Sequence, residues 1–545
     1  MTTQTPNILV LMADQLRQDA LGCYGNPVIR TPNLDRLAQS SVRFSNVFCP
    51  TPICVSSRMS FITGHRAGRH HWVANRATEG PVPEVPTIMT LLHRAGYYTQ
   101  GIGKMHFRGR LYGLRSHLRM EECVPFRVDD DYLLLLKENG VDIRYPHGIR
   151  DLLYYQPQTS HVPEEYSPSR WVADRSVEFL QEHVRHRNDV PFFLWSSWVA
   201  PHPPFAPCEP YADMYDPEDF PLPVYAERPI GTIPASARFS RARLCGAHRD
   251  PARIRRIRSL YAGQVTQVDD CVGDVLGELE RLGLEDNTIV LFLSDHGDML
   301  GDHGLSQKNV PYGPSVKIPL LLRWPERTRS GEVCQELVGL EDVLPALVDE
   351  MDLEYDARER PLPGQNLLDI AGGRAAERDE YVIDFGEGRC RWISVRNHEY
   401  AYTHWAAGGV EELYDLARDP HETQNIARRE ADVTGVMRER ALSWERKWGL
   451  SDSTEHGTFR TWADSEQQEP DGRFDRCVIL NQGTWPENLP EEEKDTIETY
   501  ERAFTLAIEG EETLSPEILP VAAYRKKGGH SLVGTPWEEA YERAE

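Results

Sequence analysis

The sequence predicts an α/β protein: a large mixed, mostly parallel sheet flanked by helices, followed by a smaller C-terminal antiparallel sheet with a helix. Three observations carry that prediction. Apolar runs centred on Ile8–Met12, Pro191–Trp198 and Asn287–Leu293 are nearly continuous, as in parallel strands covered on both faces. Amphipathic segments separate them, and in the longest, Ile254–Leu282, apolar residues keep three-to-four spacing over about eight turns. Beyond residue 380 the pattern changes to short alternating runs, Tyr381–Phe385, Arg391–Val395, Tyr400–His404 and Glu412–Tyr414, parted by Gly, Asn and Asp turns. With 545 residues the chain exceeds one ordinary core. The expected division is a large α/β domain over 1–375, a small antiparallel α+β subdomain over 376–450, and an extended arm over 451–545.

Taken in order, Ile8–Met12 is the first strand, and it hands over to Ala13-Asp14-Gln15. Thr31-Pro32-Asn33 opens a helix with a capping residue and Pro at N1. Ser41–Phe48 is a strand leading into the Cys54 loop, and Ser57–Thr63 a short helix closed by Gly64. A cysteine at a helix mouth would be easier to deprotonate or modify, and it would sit where an anion docks. Its bland alternative is a buried free thiol. Arg66, Arg69, His70 and His71 form a basic turn, with Asn75 just beyond. Thr87–Ala95 is a helix, and Tyr97–Ile102 a strand that delivers Gly103-Lys104-Met105-His106. Residues 108–166 read as insertions over the sheet edge. Ser167-Pro168 starts a helix to about His183, and Pro191–Trp198 is a strand that the following prolines stop, fixing the loop with His202. Residues 207–250 are loop-like. The strand at Asn287–Leu293 ends in Ser294-Asp295-His296-Gly297-Asp298, with Lys308 in the loop that follows. Ile318–Leu322 is a strand, Asp342–Glu350 a helix, 354–380 a linker and Ala427–Lys447 a closing helix.

Composition narrows the function. A net charge of −25 argues against a general nucleic-acid binder, so an anionic ligand must be drawn in by local charge. No stretch reaches membrane-spanning length, and the N-terminal apolar run is too short for a signal peptide, so a cytoplasmic protein is expected. Ten scattered cysteines without C-x-x-C suggest free thiols and no zinc cage. Asp14, Asp295 and His296 at strand ends suit a divalent ion such as Ca²⁺, Mg²⁺ or Mn²⁺. Lys104, His106, His202 and Lys308 supply cations or proton carriers, and together these groups make a pocket for a tetrahedral oxyanion.

The motifs P-N-I-L-V-L-M-A-D-Q, C-V-S-S-R-M-S-F-I-T-G, G-K-M-H-F, P-H-P-P and L-S-D-H-G-D-M-L-G-D-H-G-L resemble those of the type I, formylglycine-dependent sulfatases of the alkaline phosphatase superfamily. The likeness continues through I-P-L-L-L-R-W-P and E-L-Y-D-L-A-R-D-P-H-E-T-Q-N-I-A, and it is strongest toward choline-sulfatase-like and phosphonate monoester hydrolase-like members. It implies an alkaline phosphatase-like fold and oxidation of Cys54 to formylglycine (3-oxoalanine) by a maturase. The hydrate of that aldehyde attacks sulfur, and its second hydroxyl later expels sulfate. The resemblance further implies that Asp14, Asp295, His296 and modified Cys54 hold one divalent metal, Ca²⁺ first, with Gln15 nearby. Arg58 and His106 orient and activate the hydrate. Lys104, His202 and Lys308 bind sulfate oxygens, His202 or Lys308 assists the leaving group, and Asn75 contacts substrate.

Two departures stand out. Ser56 occupies the place of Pro or Ala in the Cys-x-Pro-x-Arg maturation motif, and Gln15 that of a second Asp in many members. The expected activity is hydrolysis of a small-molecule or sugar sulfate ester. Phosphonate or phosphate ester hydrolysis is the alternative, and an unmatured, inactive metal-binding relative a third. A choline-like substrate would need a cage, for which Trp72, Trp195, Trp198 and the tail tryptophans Trp462, Trp485 and Trp537 are candidates, whereas the basic turn would suit a sulfated sugar. The arm is expected to join copies into a homo-oligomer, with no nucleic-acid or membrane partner.

Overall fold

A computed structural model describes residues 5–75, 83–107, 109–122, 130–141, 146–148, 157–225 and 250–463. Its main sheet is built from β1 (Asn7–Asp14), β2 (Val42–Phe48), β3 (Tyr98–Gly103), β4 (Ser116–Arg119), β5 (Phe192–Pro201), β6 (Thr288–Ser294), β7 (Leu320–Arg323) and β8 (Val333–Gly339). They lie in the order β4-β3-β5-β1-β6-β7-β2-β8. Neighbours are parallel except β7, which runs antiparallel to both β6 and β2.

Strand β1 shows why its sequence is apolar throughout. Ile8, Val10 and Met12 face one core, with Phe61, Ile62 and Trp72 from the Cys54 region. Leu9, Leu11 and Ala13 face another, with residues of the Pro168–Arg187 and Pro251–Arg281 helices. With both faces buried there is no alternation to see. The Pro168–Arg187 helix is capped by Ser167, whose side chain accepts from the Arg170 N–H, and the Pro251–Arg281 helix by Asp250.

The smaller sheet, β9 (Tyr381–Phe385), β10 (Trp392–Arg396), β11 (Tyr400–Trp405) and β12 (Val410–Asp415), is antiparallel in the order β12-β11-β10-β9. Its alternation is that of a two-sided layer. Ile383, Phe385, Trp392, Ala401, Trp405 and Tyr414 join the main core. Val382, Ile393, Val395, Tyr402 and Leu413 pack with Met437 and Ala441 of the Ala431–Trp448 helix. Arg391 pins that helix to the sheet, donating to Glu445 at 2.8 and 2.7 Å and to Asp384 at 2.9 Å, all buried.

Several expectations change. Strand β5 continues through Ala200 to Pro201, because the ladder with β1 absorbs the proline at an irregularity between Ala13 and Asp14. The 108–166 stretch contributes β4 and a helix, Asp131–Glu138, whose N-cap is Asp130. Strand β8 has an exposed Val333 beside polar neighbours and gave no strand pattern. The supposed 354–380 linker holds a helix, Leu367–Ala371, that buries Leu367, Leu368 and Ile370. Of the proposed arm, residues 464–545 lie outside the described residues; the part before them forms a small hairpin, Thr454–Glu455 with Thr458–Phe459. Among the described residues no helix is long and apolar enough to cross a membrane. Their seven cysteines are free thiols.

Replacing Arg391 by Met would leave the buried carboxylates of Asp384 and Glu445 without a cation. The variant should lose about 3–5 kcal/mol of stability in urea unfolding.

Candidate active site

Parallel pairing of β1 with β6 sets Ala13 opposite Ser294, so Asp14 and Asp295 leave adjacent strand ends side by side. Cys54 is the first residue of a ten-residue helix, Cys54–Thr63, that starts three residues before the expected Ser57. The preceding residue, Ile53, has no capping side chain. Asn75 caps the helix instead, its Oδ1 accepting from the Val55 N–H at 3.0 Å. The Ser57 hydroxyl ties the helix to the Asp295 carbonyl at 2.6 Å. The Ser56 hydroxyl is also buried, donating to the Trp72 carbonyl at 2.5 Å.

Asp14, Cys54, Asp295 and His296 are all buried, and one donor atom from each lies within 4.8 Å of the others. The other carboxylate oxygens are already taken. Arg58 donates from Nη2 to Asp14 Oδ2 at 3.1 Å and from Nε to Asp295 Oδ2 at 2.8 Å. Its Nη1 binds the Lys104 carbonyl at 2.5 Å and Ser197 Oγ at 3.0 Å. Lys104 Nζ lies 2.6 Å from Asp14 Oδ2. This leaves Asp14 Oδ1 3.9 Å from Cys54 Sγ, which is itself 3.1 Å from His296 Nε2. His296 Nδ1 lies 3.1 Å from the Gly297 carbonyl, an arrangement that directs the Nε2 lone pair at the cluster.

Electrostatics follow from burial set against these pairs. Burial opposes the charge on Asp14, but the Lys104 ammonium and then the Arg58 guanidinium outweigh it and hold the carboxyl far below the usual range. Burial likewise opposes the Lys104 ammonium, and Asp14, Cys54 and Glu122 raise it well above its ordinary value. Burial drives His296 down to about 4, so its imidazole is neutral at pH 7. The thiol of Cys54 runs against the helix-mouth expectation: burial, then Asp14, push it up to about 11. Removing a thiolate from water costs more than one helix terminus returns.

A second tier surrounds this cluster. Lys308 Nζ donates to Gln15 Oε1 at 2.5 Å and lies 3.0 Å from His202 Nε2. Gln15 Nε2 binds Asp298, whose Oδ1 accepts from the Leu300 and Gln307 N–H groups at 2.8 and 3.1 Å. Gln15 therefore ties Lys308 to the Asp298 loop, and its carbonyl keeps a second lone pair for a cation. His202 Nδ1 lies 2.7 Å from the Pro203 carbonyl, and burial lowers the imidazole to about 3. His106 is held with φ 62° by its backbone N–H, which donates to Glu121 Oε1 at 2.8 Å.

The structure thus gathers Asp14, Cys54, Arg58, Lys104, Asp295 and His296 directly, with Gln15, His202 and Lys308 adjoining and Asn75 at the helix mouth. Two residues went unforeseen. Asp298 stands in the D-H-G-D run, where its repeat of Asp295 was the available signal. Glu122, 3.0 Å from both Lys104 Nζ and His202 Nδ1, gave none. Two substrate-binding expectations are cut back. Arg66 is buried against Glu341 and the Val382 carbonyl, and His70 against Ser60, whereas Arg69 and His71 stay exposed, so half of the basic cluster faces solvent. Trp72, Trp195 and Trp198 are at most 1% exposed and belong to the cores, so they form no cage.

The chain matches the Sulfatase family over residues 6–353. It belongs to the sulfatase family. As such it is a sulfuric ester hydrolase of the alkaline phosphatase superfamily. Residues 301–445 also match the family described as N-sulphoglucosamine sulphohydrolase, C-terminal. An arylsulfatase of Clostridium perfringens is 31% identical across 77% of this chain and 90% of its own length. A choline-sulfatase of Rhizobium meliloti is 27% identical across 87% of this chain and 96% of its own length. The fold is shared with the phosphonate monoester hydrolase of Agrobacterium radiobacter, with a TM-score of 0.70 and 24% identity over 83% of this chain and 98% of that one.

In this sulfatase Gly297 leaves no room for a side chain, since a Cβ would collide with the Pro314 carbonyl. Gly297→Ala should lower stability by about 1–3 kcal/mol in urea unfolding and reduce turnover, by displacing the Asp295-His296 turn.

Proposed function

We propose that this sulfatase cleaves an organic sulfate monoester with a nucleophile formed by oxidation of Cys54 to formylglycine, assisted by one divalent cation. The observation that carries the reading is the buried clustering of Asp14 Oδ1, Cys54 Sγ and Asp295 Oδ1 around His296 Nε2, at 4.0, 3.1 and 3.8 Å from it, while Arg58 and Lys104 occupy the outer oxygens. Two carboxylates, an imidazole and the Gln15 carbonyl fit a hard ion, with Ca²⁺ first and Mn²⁺ or Mg²⁺ next. Once bound, the ion would lower the pKa of the hydroxyl nucleophile and draw charge from the ester oxygens.

The chain's own groups would then divide the work. Arg58 spends its donors bracing both carboxylates, so it acts as a positioning residue. Lys104, His202 and Lys308 line the side where sulfate oxygens would bind. The leaving alkoxide needs a proton, and Lys308 is the better source. Burial keeps His202 neutral, its Nδ1 faces the Pro203 carbonyl and Glu122, and its Nε2 faces Lys308.

Phosphonate monoester hydrolysis is the second reading. It draws on Gln15, which removes one negative charge from the metal site, and on a relative from Trinickia caryophylli, 30% identical over 80% of this chain, named a multifunctional alkaline phosphatase superfamily protein.

Mass spectrometry of the Cys54 peptide, after coexpression with a formylglycine-generating maturase, should show the aldehyde or its hydrate; an intact thiol would favour an inactive relative in which Ser56 blocks maturation. Cys54→Ala should abolish turnover yet still bind the metal, seen by elemental analysis, because three ligands remain. kcat/KM for an aryl sulfate should exceed that for a phosphonate monoester; the reverse order would favour the second reading.

A further inference from the structure

Glu122 has no part in the chemistry described so far. Its carboxylate is 9% exposed and lies 3.0 Å from Lys104 Nζ and 3.0 Å from His202 Nδ1, two of the groups that line the proposed anion pocket. It belongs to no strand or helix. The neighbouring Glu121 holds the segment in place, because its Oε1 accepts the Met105 and His106 N–H groups at 3.2 and 2.8 Å. The buried Asp130 holds it from the other side, accepting from the Glu121 N–H at 2.8 Å. A carboxylate beside the cations of an anion pocket weakens anion binding, unless lowering that charge is its purpose.

Arg58 and Lys104 are paired with Asp14, Asp295 and Glu122, while Lys308 is linked through Gln15 to the buried Asp298. Of these carboxylates Glu122 is the one that lies against both Lys104 and His202, so its removal raises the charge on that side of the pocket by one. Lys104 already divides its ammonium between Asp14 at 2.6 Å and Glu122 at 3.0 Å. An anion oxygen that reached Lys104 would stand roughly 5 Å from Glu122, because two charge-assisted hydrogen bonds leave the tetrahedral ammonium about 109° apart. At that range each negative charge on the ligand is repelled with little screening. A sulfate monoester and a phosphonate monoester each bring one negative charge, whereas a phosphate monoester brings up to two near neutral pH.

We propose that Glu122 is a specificity-determining residue that selects singly charged tetrahedral esters and rejects doubly charged ones. This rests on the anion pocket proposed above, but not on whether that pocket takes sulfate or phosphonate monoesters.

The test separates charge from shape and binding from turnover. Calorimetric dissociation constants for inorganic sulfate, a dianion, and methanesulfonate, a monoanion, would be measured on the metal-loaded protein and its Glu122→Gln and Glu122→Asp variants. Glu122→Gln should shift the ratio of the two constants toward sulfate by at least about tenfold, the factor given by one pK unit of electrostatic free energy. Glu122→Asp keeps the charge and should stay near wild type. In parallel, kcat/KM for an aryl phosphate relative to the matching aryl sulfate should rise in Glu122→Gln and not in Glu122→Asp. A merely structural role would lower both members of each pair alike. Unchanged ratios in Glu122→Gln, or equal shifts in both variants, would overturn the assignment. A shifted binding ratio in a protein that turns over no ester would instead sink the proposed function and leave the role of Glu122 standing.

Discussion

Everything around the site answers one constraint: two carboxylates must stay ionised side by side where water is excluded. Moving an isolated carboxylate into such a place costs several kcal/mol, and a second of the same sign adds repulsion. Arg58 resolves both difficulties, because one planar guanidinium reaches Asp14 and Asp295 at once. A lysine could supply the charge but not the fork. The position of Arg58 is set by the Cys54–Thr63 helix, so the same helix that presents Cys54 also makes the neighbouring charges tolerable.

That arrangement makes the helix the part of the fold that has to be held. Its mouth is capped by Asn75. Its first turn is tied to the Asp295 and Trp72 carbonyls by Ser57 and Ser56. Just beyond its end, Arg66 reaches Glu341 and the Val382 carbonyl of β9 and stacks 4.9 Å from the Tyr381 ring. The small sheet therefore braces the Cys54–Thr63 helix from behind. The Asp384 N–H adds a bond to the Pro50 carbonyl, four residues before Cys54, at 3.1 Å. Ser56, which departs from the maturation motif, is a buried hydrogen-bonding anchor in the folded protein.

Much of this was legible in the chain because it is local. Continuous apolar runs marked β1, β5 and β6, and the polar residues just past them marked the ends where ligands gather. Capping residues followed by Pro located the Pro32–Gln39 and Pro168–Arg187 helices. What stayed hidden depended on what lay opposite. Strand β8 and the Leu367–Ala371 helix became regular through partners distant in sequence. Arg66 read as part of a basic turn open to substrate because its counter-ion, Glu341, is 275 residues away. Trp72, Trp195 and Trp198 read as cage candidates because burial is not a property of residue type.

By itself, then, the sequence determined the α/β class, the order of most elements and the candidate residues for sulfatase chemistry, since periodicity and motif are written in neighbouring positions. Only the tertiary structure decided their electrostatic states. It made the Cys54 thiol hard to ionise, kept His202 neutral between Lys308 and Glu122, spent Arg58 on two carboxylates, and set Glu122 against Lys104. Those states come from desolvation and from charges folded in from remote parts of the chain, and neither can be read from a residue and its neighbours.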